Sequence, residues 1–414
     1  MTRPAGGWEA RAAEAPVLGS GLACLLFVGL AVAASFPEAS PLAPEHAGGE
    51  SKWAWLYLGA SAAAFAAYVL AVVLLGRERR VRVGAVLAIT AAVQLVPLAG
   101  PVLLSTDAYT YWDYGRLGAV HDANPYSDPP SAFPDDPAYP LMGERWRDTT
   151  TVYGPGFTLL SEGHAAVVGD SAGLAGGLYK GLAAAAMLAL AGLAARLGTR
   201  PAFSAAFVGW NPLLALHFAG GGHNDALMMV FVLAALVLAA TGRRQLEGAA
   251  WACSIAVKWV PLLFLPLRAL ELRRNGRPLP YLGFALAVGV LAAAAFLRYG
   301  TAWLDAFGPL ADNLSDQARY SLPNRLSQLG LPEGLAAGLL AGLFVIAYLW
   351  LLLEAWRGRA RLGLCAGFVL LATTWLVPWY AVWAVPLAAV EEDVTARWLA
   401  VGLSAYLLRD AVPI

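Results

Sequence analysis

The chain has 414 residues, 59% of them hydrophobic and only 14% charged, where a soluble protein of this length carries about 25% charged residues. A single large soluble core is excluded, because the apolar residues fall in long blocks whose natural solvent is lipid. Basic and acidic residues balance at 28 each, which gives no footing for nucleic-acid binding and leaves the distribution of charge among loops as the informative feature.

The first apolar block, from about Pro16 to Phe36, follows Arg3 and Arg11. At about 20 residues, with many blocks behind it, it reads as an uncleaved first span rather than a leader. Blocks near 53–75, 83–104, 173–197, 202–219, 225–240, 281–298, 334–355, 362–377, 378–390 and 395–410 follow. The expected class is an all-α polytopic membrane protein, one domain over 1–414, with about 11–13 transmembrane or half-membrane helices. Cys24, Cys253 and Cys365 stand apart in apolar stretches, with no spacing for a metal or a disulfide. Heavy use of Ala, Leu, Gly and Arg points to a GC-rich bacterial genome, and so to a bacterial plasma membrane.

Orientation follows from Lys and Arg, which cytoplasmic loops retain. Arg77, Arg79, Arg80 and Arg82 form one such cluster, Arg196 and Arg200 a second, Arg243 and Arg244 a third, and Arg357, Arg359 and Arg361 a fourth. With the N-terminus inside, Ser105 onward, Gly220–Asn224 and the loop 299–331 face outward. The block between Arg243–Arg244 and Arg273–Arg274 is interrupted by Lys258, Trp259 and Pro261. Two half-helices over 245–270, dipping in and returning, put both basic clusters on one side, and polar residues at such a break belong against protein rather than lipid.

Residues 105–155 form the large first outward loop, in which acidic residues outnumber Arg116, Arg145 and Arg147, and NPYSDPPSAFPDDPAYP supplies Pro and aromatics. That composition is too aromatic for a disordered linker and reads as an ordered cap. Asp107 opens it directly after an apolar run. Asp is a favoured N-cap, so Asp107 is read two ways, as the cap of a short helix through Tyr109, Trp112 and Arg116 or as a catalytic carboxylate at the lipid–water boundary. Asp113 is expected to pair with Arg116.

In WNPLLALHFAGGGHNDALMM (210–229), His223, Asn224 and Asp225 open a new span after a glycine turn. They are either a helix–helix turn with a cap or a polar cluster on the face of Asp107, able to bind sugar hydroxyls or orient a base. His217 reads as a core histidine. Arg319 and Arg325, outward and against the positive-inside trend, suit a phosphate at the interface, or else pair with Asp312 or Asp316. Lys258, at the hairpin break, either meets that phosphate or pairs within protein. No Walker loop, HExxH, GxSxG or paired-Cys zinc site occurs, no residue is assigned to a metal, and a divalent cation is the one candidate cofactor left open.

The segments TDAYTYWDYGR (106–116), NPY (124–126), YGP (153–155), NP…GGGHNDALM (211–228) and PWYAVWAVPLA (378–388) occur in an order that resembles a GT-C glycosyltransferase. Within that class they are similar to bacterial polyprenyl-phosphomannose-dependent α-(1→6)-mannosyltransferases, including the actinobacterial enzymes of lipomannan assembly. The resemblance runs from about residue 83 to 390. It implies Asp107 as general base, a polyprenyl-phosphate-linked sugar as donor, a glycolipid or glycan as acceptor, and an extracytoplasmic site within the bilayer's reach. Many GT-C enzymes carry a second acid beside the first or two positions away; here Ala108 and Tyr109 stand there, and Asp225 is the substitute from another loop. Tyr109, Trp112, Asn124 and Tyr153 join the substrate-binding candidates, with Arg116, His223, Asn224, Asp225, Lys258, Arg319 and Arg325. The alternative class is a transporter or flippase for lipid-linked glycans, which predicts charges at the bilayer midplane.

Overall fold

The computed structural model describes residues 7–44, 48–78 and 80–414, with backbone alone for 7–13 and 313–315. Arg3 and Arg79 therefore lie outside the described residues, as does the side chain of Arg11. Among the described residues the chain is all-α, without a strand. Helices α1 (Gly7–Ala33), α2 (Ser51–Arg77) and α3 (Val83–Leu95) precede α4 (Asp107–Ala119), α5 (Pro155–Val168) and α6 (Ala172–Leu197). Then come α7 (Pro201–Gly209), α8 (Pro212–Gly221), α9 (Asp225–Ala240), α10 (Arg244–Val257), α11 (Phe264–Arg274) and α12 (Tyr281–Tyr299). The last third holds α13 (Phe307–Ser315), α14 (Leu322–Gln328), α15 (Glu333–Trp356), α16 (Leu362–Ala372), α17 (Val385–Val390) and α18 (Val394–Tyr406).

Among the described residues five helices are long and apolar enough to cross a membrane, within α1, α2, α6, α12 and α15, and shorter apolar helices fill in between them. The protein is a multi-pass membrane protein. Helix α6 is the centre, packing on α7, α8 and α9; its Ala183, Ala184, Ala191 and Ala194 are buried, and small side chains let backbones approach closely. By contrast, only 11% of the apolar window of α12 or α15 is buried against the rest of the chain, against 50% for α6. Those two helices leave most of their apolar surface uncovered by the rest of the chain.

The block 202–219 is not one straight span. It divides into α7 and α8, bent by 55°, because Pro212 has no N–H to continue α7 and Asn211 caps α8 by accepting from the amides of Leu213 (3.1 Å) and Leu214 (3.4 Å). Breaking a helix in apolar surroundings strands carbonyls. Here Tyr68 Oη donates to Phe207 (2.9 Å), Gln94 Nε2 to Gly209 (2.9 Å) and Cys24 Sγ to Trp210 (3.2 Å). The block 83–104 is likewise shorter as helix than hydropathy suggests: it ends at Leu95, tightens through Val96–Ala99, and runs on without helix to Thr106.

The basic loops gather at one end of the bundle. Arg200 takes the carbonyls at the end of α2 (Leu75, and Gly76 at 3.0 Å), Thr199 meets Glu392 (2.8 Å), Arg361 pairs with Asp393, and Glu271 accepts from the amide of Ala360 (3.1 Å). At the other end, residues 120–154 cover α4 and α5. Asn124 Nδ2 ties the cap to Tyr299 (3.0 Å), while Tyr126 Oη meets Thr158 (2.8 Å).

Beneath the cap is a buried charge cluster. Arg116 Nε donates to both carboxylate oxygens of Asp136 (2.7 and 2.9 Å), and Nη1 reaches Asp170 (2.8 Å). The expected Asp113–Arg116 pair does not form, because the guanidinium is already taken. Burial and the neighbouring Asp136 push the Asp113 carboxyl up to about 7, against the pull of Arg116 and Arg147. The folded chain thus holds a proton there that the unfolded chain releases near pH ~4, so this group's contribution to stability declines as pH rises through that window. Asp113→Asn is expected to leave the thermal midpoint nearly unchanged at pH 4 and to raise it at pH 8; equal shifts at both would show that Asp113 does not titrate this way.

Candidate active site

The segment before Asp107 is clamped from three sides. Leu103 N donates to Gly220 O (3.0 Å) at the end of α8, and Leu104 N to Leu42 O (2.9 Å). From α6, the buried ammonium of Lys180 donates to Pro101 O (2.9 Å) and to the carbonyl of Gly100. Leu104 adopts φ +60°, an uncommon conformation for a bulky residue that the surroundings must enforce.

Asp107 is the first residue of α4, and Thr106 occupies the cap position without a side-chain bond. Its carboxylate is therefore not spent on capping. It lies at the positive end of the helix dipole, and Oδ2 accepts from Tyr111 Oη one turn on (3.2 Å) and meets His223 Nδ1 (3.1 Å). Burial raises the Asp107 carboxyl, yet the bond and charge of His223 with the charge of Lys258 outweigh it and hold the group below the ordinary carboxylate range. Burial and the nearby Asp107 keep the Tyr111 phenol protonated, so it remains a donor.

His223 arrives because α8 ends in a left-handed turn. Gly222 has φ +78°, and a Cβ there would stand 3.2 Å from Ala108 Cβ and 3.3 Å from Tyr179 Cβ. Glycine thus lets the end of α8 press on the start of α4. The fully buried imidazole stacks on Trp379, with ring centroids 3.7 Å apart and planes at 14°.

Asp225, the first residue of α9, accepts at Oδ1 from Lys258 Nζ and from Trp383 Nε1, both at 2.7 Å. Lys258 interrupts the chain between α10 and the turn Val260–Leu263. Its ammonium lies 4.8 Å from the ring centre of Tyr380 and 5.9 Å from that of Tyr153, and its side chain keeps 16% exposure. Buried His223 Nε2, both amide atoms of Asn224 and Asp225 Oδ2 have no hydrogen-bond partner. Each such group costs about 1–3 kcal/mol unless something bonds it, so these three consecutive residues hold polar atoms for a ligand or ordered water to bond.

Asp107, His223, Asn224, Asp225, Lys258 and Tyr153 are thus brought together. The other candidates lie apart. Trp112 is fully buried beneath Arg116, with 5.3 Å between its ring and the guanidinium; Tyr109 faces Gly176 of α6; Arg116 and Asn124 hold the cap. Arg325 bonds Tyr406 (3.3 Å) and Gln328 (2.8 Å), and both Arg325 and Arg319 flank Tyr320. Asp316 pairs with Arg145 of the first loop. The site also includes residues outside those candidates: Tyr111, Trp379, Trp383 and the clamping Lys180. The tryptophan spacing in PWYAVW was the available signal. Among the described residues no three His, Cys, Asp or Glu side chains could hold a metal ion together.

Residues 17–274 match the model of a family described as alpha-(1->6)-mannopyranosyltransferase, N-terminal domain, a stretch that holds Asp107, His223–Asp225 and Lys258 and stops before Trp379. The chain is 28% identical over 380 residues to alpha-(1->6)-mannopyranosyltransferase A of Mycobacterium tuberculosis, covering 81% of this chain and 72% of the relative. It is 28% identical over 353 residues to a probable alpha-(1->6)-mannopyranosyltransferase of Mycolicibacterium smegmatis, covering 70% and 62%. With alpha-(1->6)-mannopyranosyltransferase A of Corynebacterium glutamicum, identity is 32% over 180 residues, covering 42% and 36%. No solved structure matches the chain.

The Lys258–Asp225 pair gives a direct test of the site's electrostatics. Lys258→Met strands a buried carboxylate, and breaking a buried pair costs about 3–5 kcal/mol. Asp225→Asn added to it should restore most of the loss of thermal midpoint in detergent micelles. Equal midpoints for the single and double variants would show that the pair carries no such coupling.

Proposed function

The chain belongs to the alpha-(1->6)-mannopyranosyltransferase family, and from that premise we propose that it is a GT-C-type membrane enzyme transferring mannose from a polyprenyl-phosphate donor to an α-mannoside acceptor. The acceptor is a glycan or glycolipid such as lipomannan, and the site faces the extracytoplasmic side of a bacterial plasma membrane. The gathering of the basic loops at the opposite end of the bundle supports that orientation, as does the break at Lys258, which lets 245–270 turn back as a hairpin.

The single observation carrying this reading is a carboxylate held by His223 and Tyr111 beside an ion pair, with the carboxylate and the cation of that pair both partly exposed. In the proposed step, Asp107 takes the proton of an acceptor hydroxyl as its oxygen bonds to the anomeric carbon. The bond from that carbon to the phosphate oxygen breaks, its electron pair leaves with the polyprenyl phosphate, and the centre inverts. An α product therefore requires a β-linked mannosyl phosphate. Lys258 neutralises the charge growing on the phosphate; it is the cation nearest Asp107 in this reading, whereas Arg319 and Arg325 are engaged at Tyr320 and Tyr406. Tyr153, Trp379 and Tyr380 offer flat faces for sugar rings. Family membership favours transfer over transport of lipid-linked glycans.

The test is transfer by the purified protein in nanodiscs from polyprenyl-phosphomannose to a soluble α-mannoside. Asp107→Asn should lower kcat by roughly 10²–10⁴-fold; wild-type turnover in that variant removes Asp107 as base. Absence of transfer from any polyprenyl-phospho-sugar, together with glycolipid movement across liposomes, would establish the transporter instead. The pH profile supplies an independent check. With Asp107 held below the usual carboxylate range, about 3.9, the acid limb of kcat/KM lies below that value. His223→Phe keeps the stack on Trp379 but removes the bond, so the limb should move to higher pH, and an unmoved limb would assign it to another group.

A further inference from the structure

A cleft of about 350 Å³ opens between the two large loops, lined by Arg145, Trp146, Asp148 and Thr150 on one side and Pro309 and Asp312 on the other. Its volume sits at the small end of ligand pockets, roughly 300–1,000 Å³. The wall from the first loop leads to the active site. Trp146 rests against Gly143, where a Cβ would stand 2.9 Å from Thr106 Oγ1 and 3.0 Å from Trp146 Cδ1, so one glycine separates the indole from the residue preceding Asp107. Across from it, Trp375 meets Trp146 edge-on at 6.0 Å and lies four residues before Trp379, which stacks on His223. Thr149 O, in the cleft wall, accepts from Tyr114 Oη of α4 (2.8 Å), fixing the wall to the helix that bears Asp107.

The chemistry of the lining selects its occupant. Arg145 pairs with Asp316 across the rim and lies 4.1 Å over Trp375. The other charged groups of the lining are the carboxylates of Asp148 and Asp312. Arg145 is already answered by Asp316 and so is taken from any lipid phosphate, whereas carboxylates accept from sugar hydroxyls, threonine hydroxyls accept and donate, and the Trp146 indole covers sugar C–H surfaces. We propose that this cleft is the subsite for the far end of the acceptor glycan, the neutral sugars beyond the one that receives mannose. The inference rests on the transfer reading above, and it adds that the enzyme measures acceptor length.

The experiment uses the full chain in nanodiscs with a linear α-(1→6)-mannotriose, and it reads binding without donor by saturation-transfer NMR alongside steady-state kinetics. Asp148→Asn and Thr150→Val, both at the cleft rim, should keep the wild-type thermal midpoint. Each should weaken mannotriose binding and raise the acceptor KM by roughly ten-fold, the scale of one lost hydrogen bond to a charged or buried group, and leave the donor KM unchanged. Mannotriose should also bind more tightly than a methyl mannoside in the wild type and lose that advantage in the variants. Wild-type binding and acceptor KM in both variants would overturn the subsite while leaving the transfer reading intact, and so would a change confined to the donor KM. Binding of mannotriose that is lost in Asp148→Asn, with no transfer by any form, would support the cleft and sink the transfer reading.

Discussion

One hydrogen bond joins the parts of this site: the 3.1 Å contact between Asp107 and His223. Its two ends come from separate turns, one opening α4 and one closing α8, and each turn is built for the meeting. The first is clamped by Lys180, Gly220 and Leu42; the second needs a glycine so that two helix ends can approach. A carboxylate so enclosed stays charged only where donors and cations compensate burial. The surrounding residues supply that compensation, so ionisation, geometry and tertiary packing are one constraint seen three ways.

The second charge centre obeys the same rule with a different solution. Asp225 is fully buried and answers to Lys258 and Trp383, which come from a broken helix and a 3-10 turn. Irregular backbone of this kind survives at membrane depth only where protein surrounds it. The interruptions at Trp210–Asn211, Lys258–Trp259 and Pro378–Trp383 bring loop-like chemistry within a helical bundle, and nearby side chains take the carbonyls that the first of them frees.

Much of this was legible in the sequence, though unevenly. Composition and apolar blocks give an all-helical membrane protein, because lipid imposes a length and a polarity on every span. Asp107, His223, Asn224, Asp225 and Lys258 each stand out as polar residues at the edge of an apolar block. Which of them touch was not legible, because hydropathy and loop charge assign residues to a side of the membrane and say nothing of which side chains meet, as Lys258 meets Asp225. Asp107 showed the same limit: a carboxylate at a helix start reads as a cap, and only the fold turns its oxygen to His223. Arg319 and Arg325 drew notice by breaking the expected charge pattern, which says nothing of their distance from Asp107. The bend between α7 and α8 had a signal, Asn211 followed by Pro212, hidden within unbroken apolarity.

Lys180 bears on how the chain is assembled. Placed in a long apolar helix, its ammonium is answered by backbone carbonyls around Gly100 and Pro101 rather than by a carboxylate. A lysine at the centre of an isolated span costs about 2.5–3.5 kcal/mol to insert on translocon scales. The carbonyls that meet it belong to a segment synthesised some eighty residues earlier, so when α6 leaves the ribosome its counterpart is already in the bilayer. The ammonium and the carbonyls that meet it thus tie α6 to the stretch leading to Asp107, so the same contact that lets a lysine sit in an apolar helix also fixes the turn before the site.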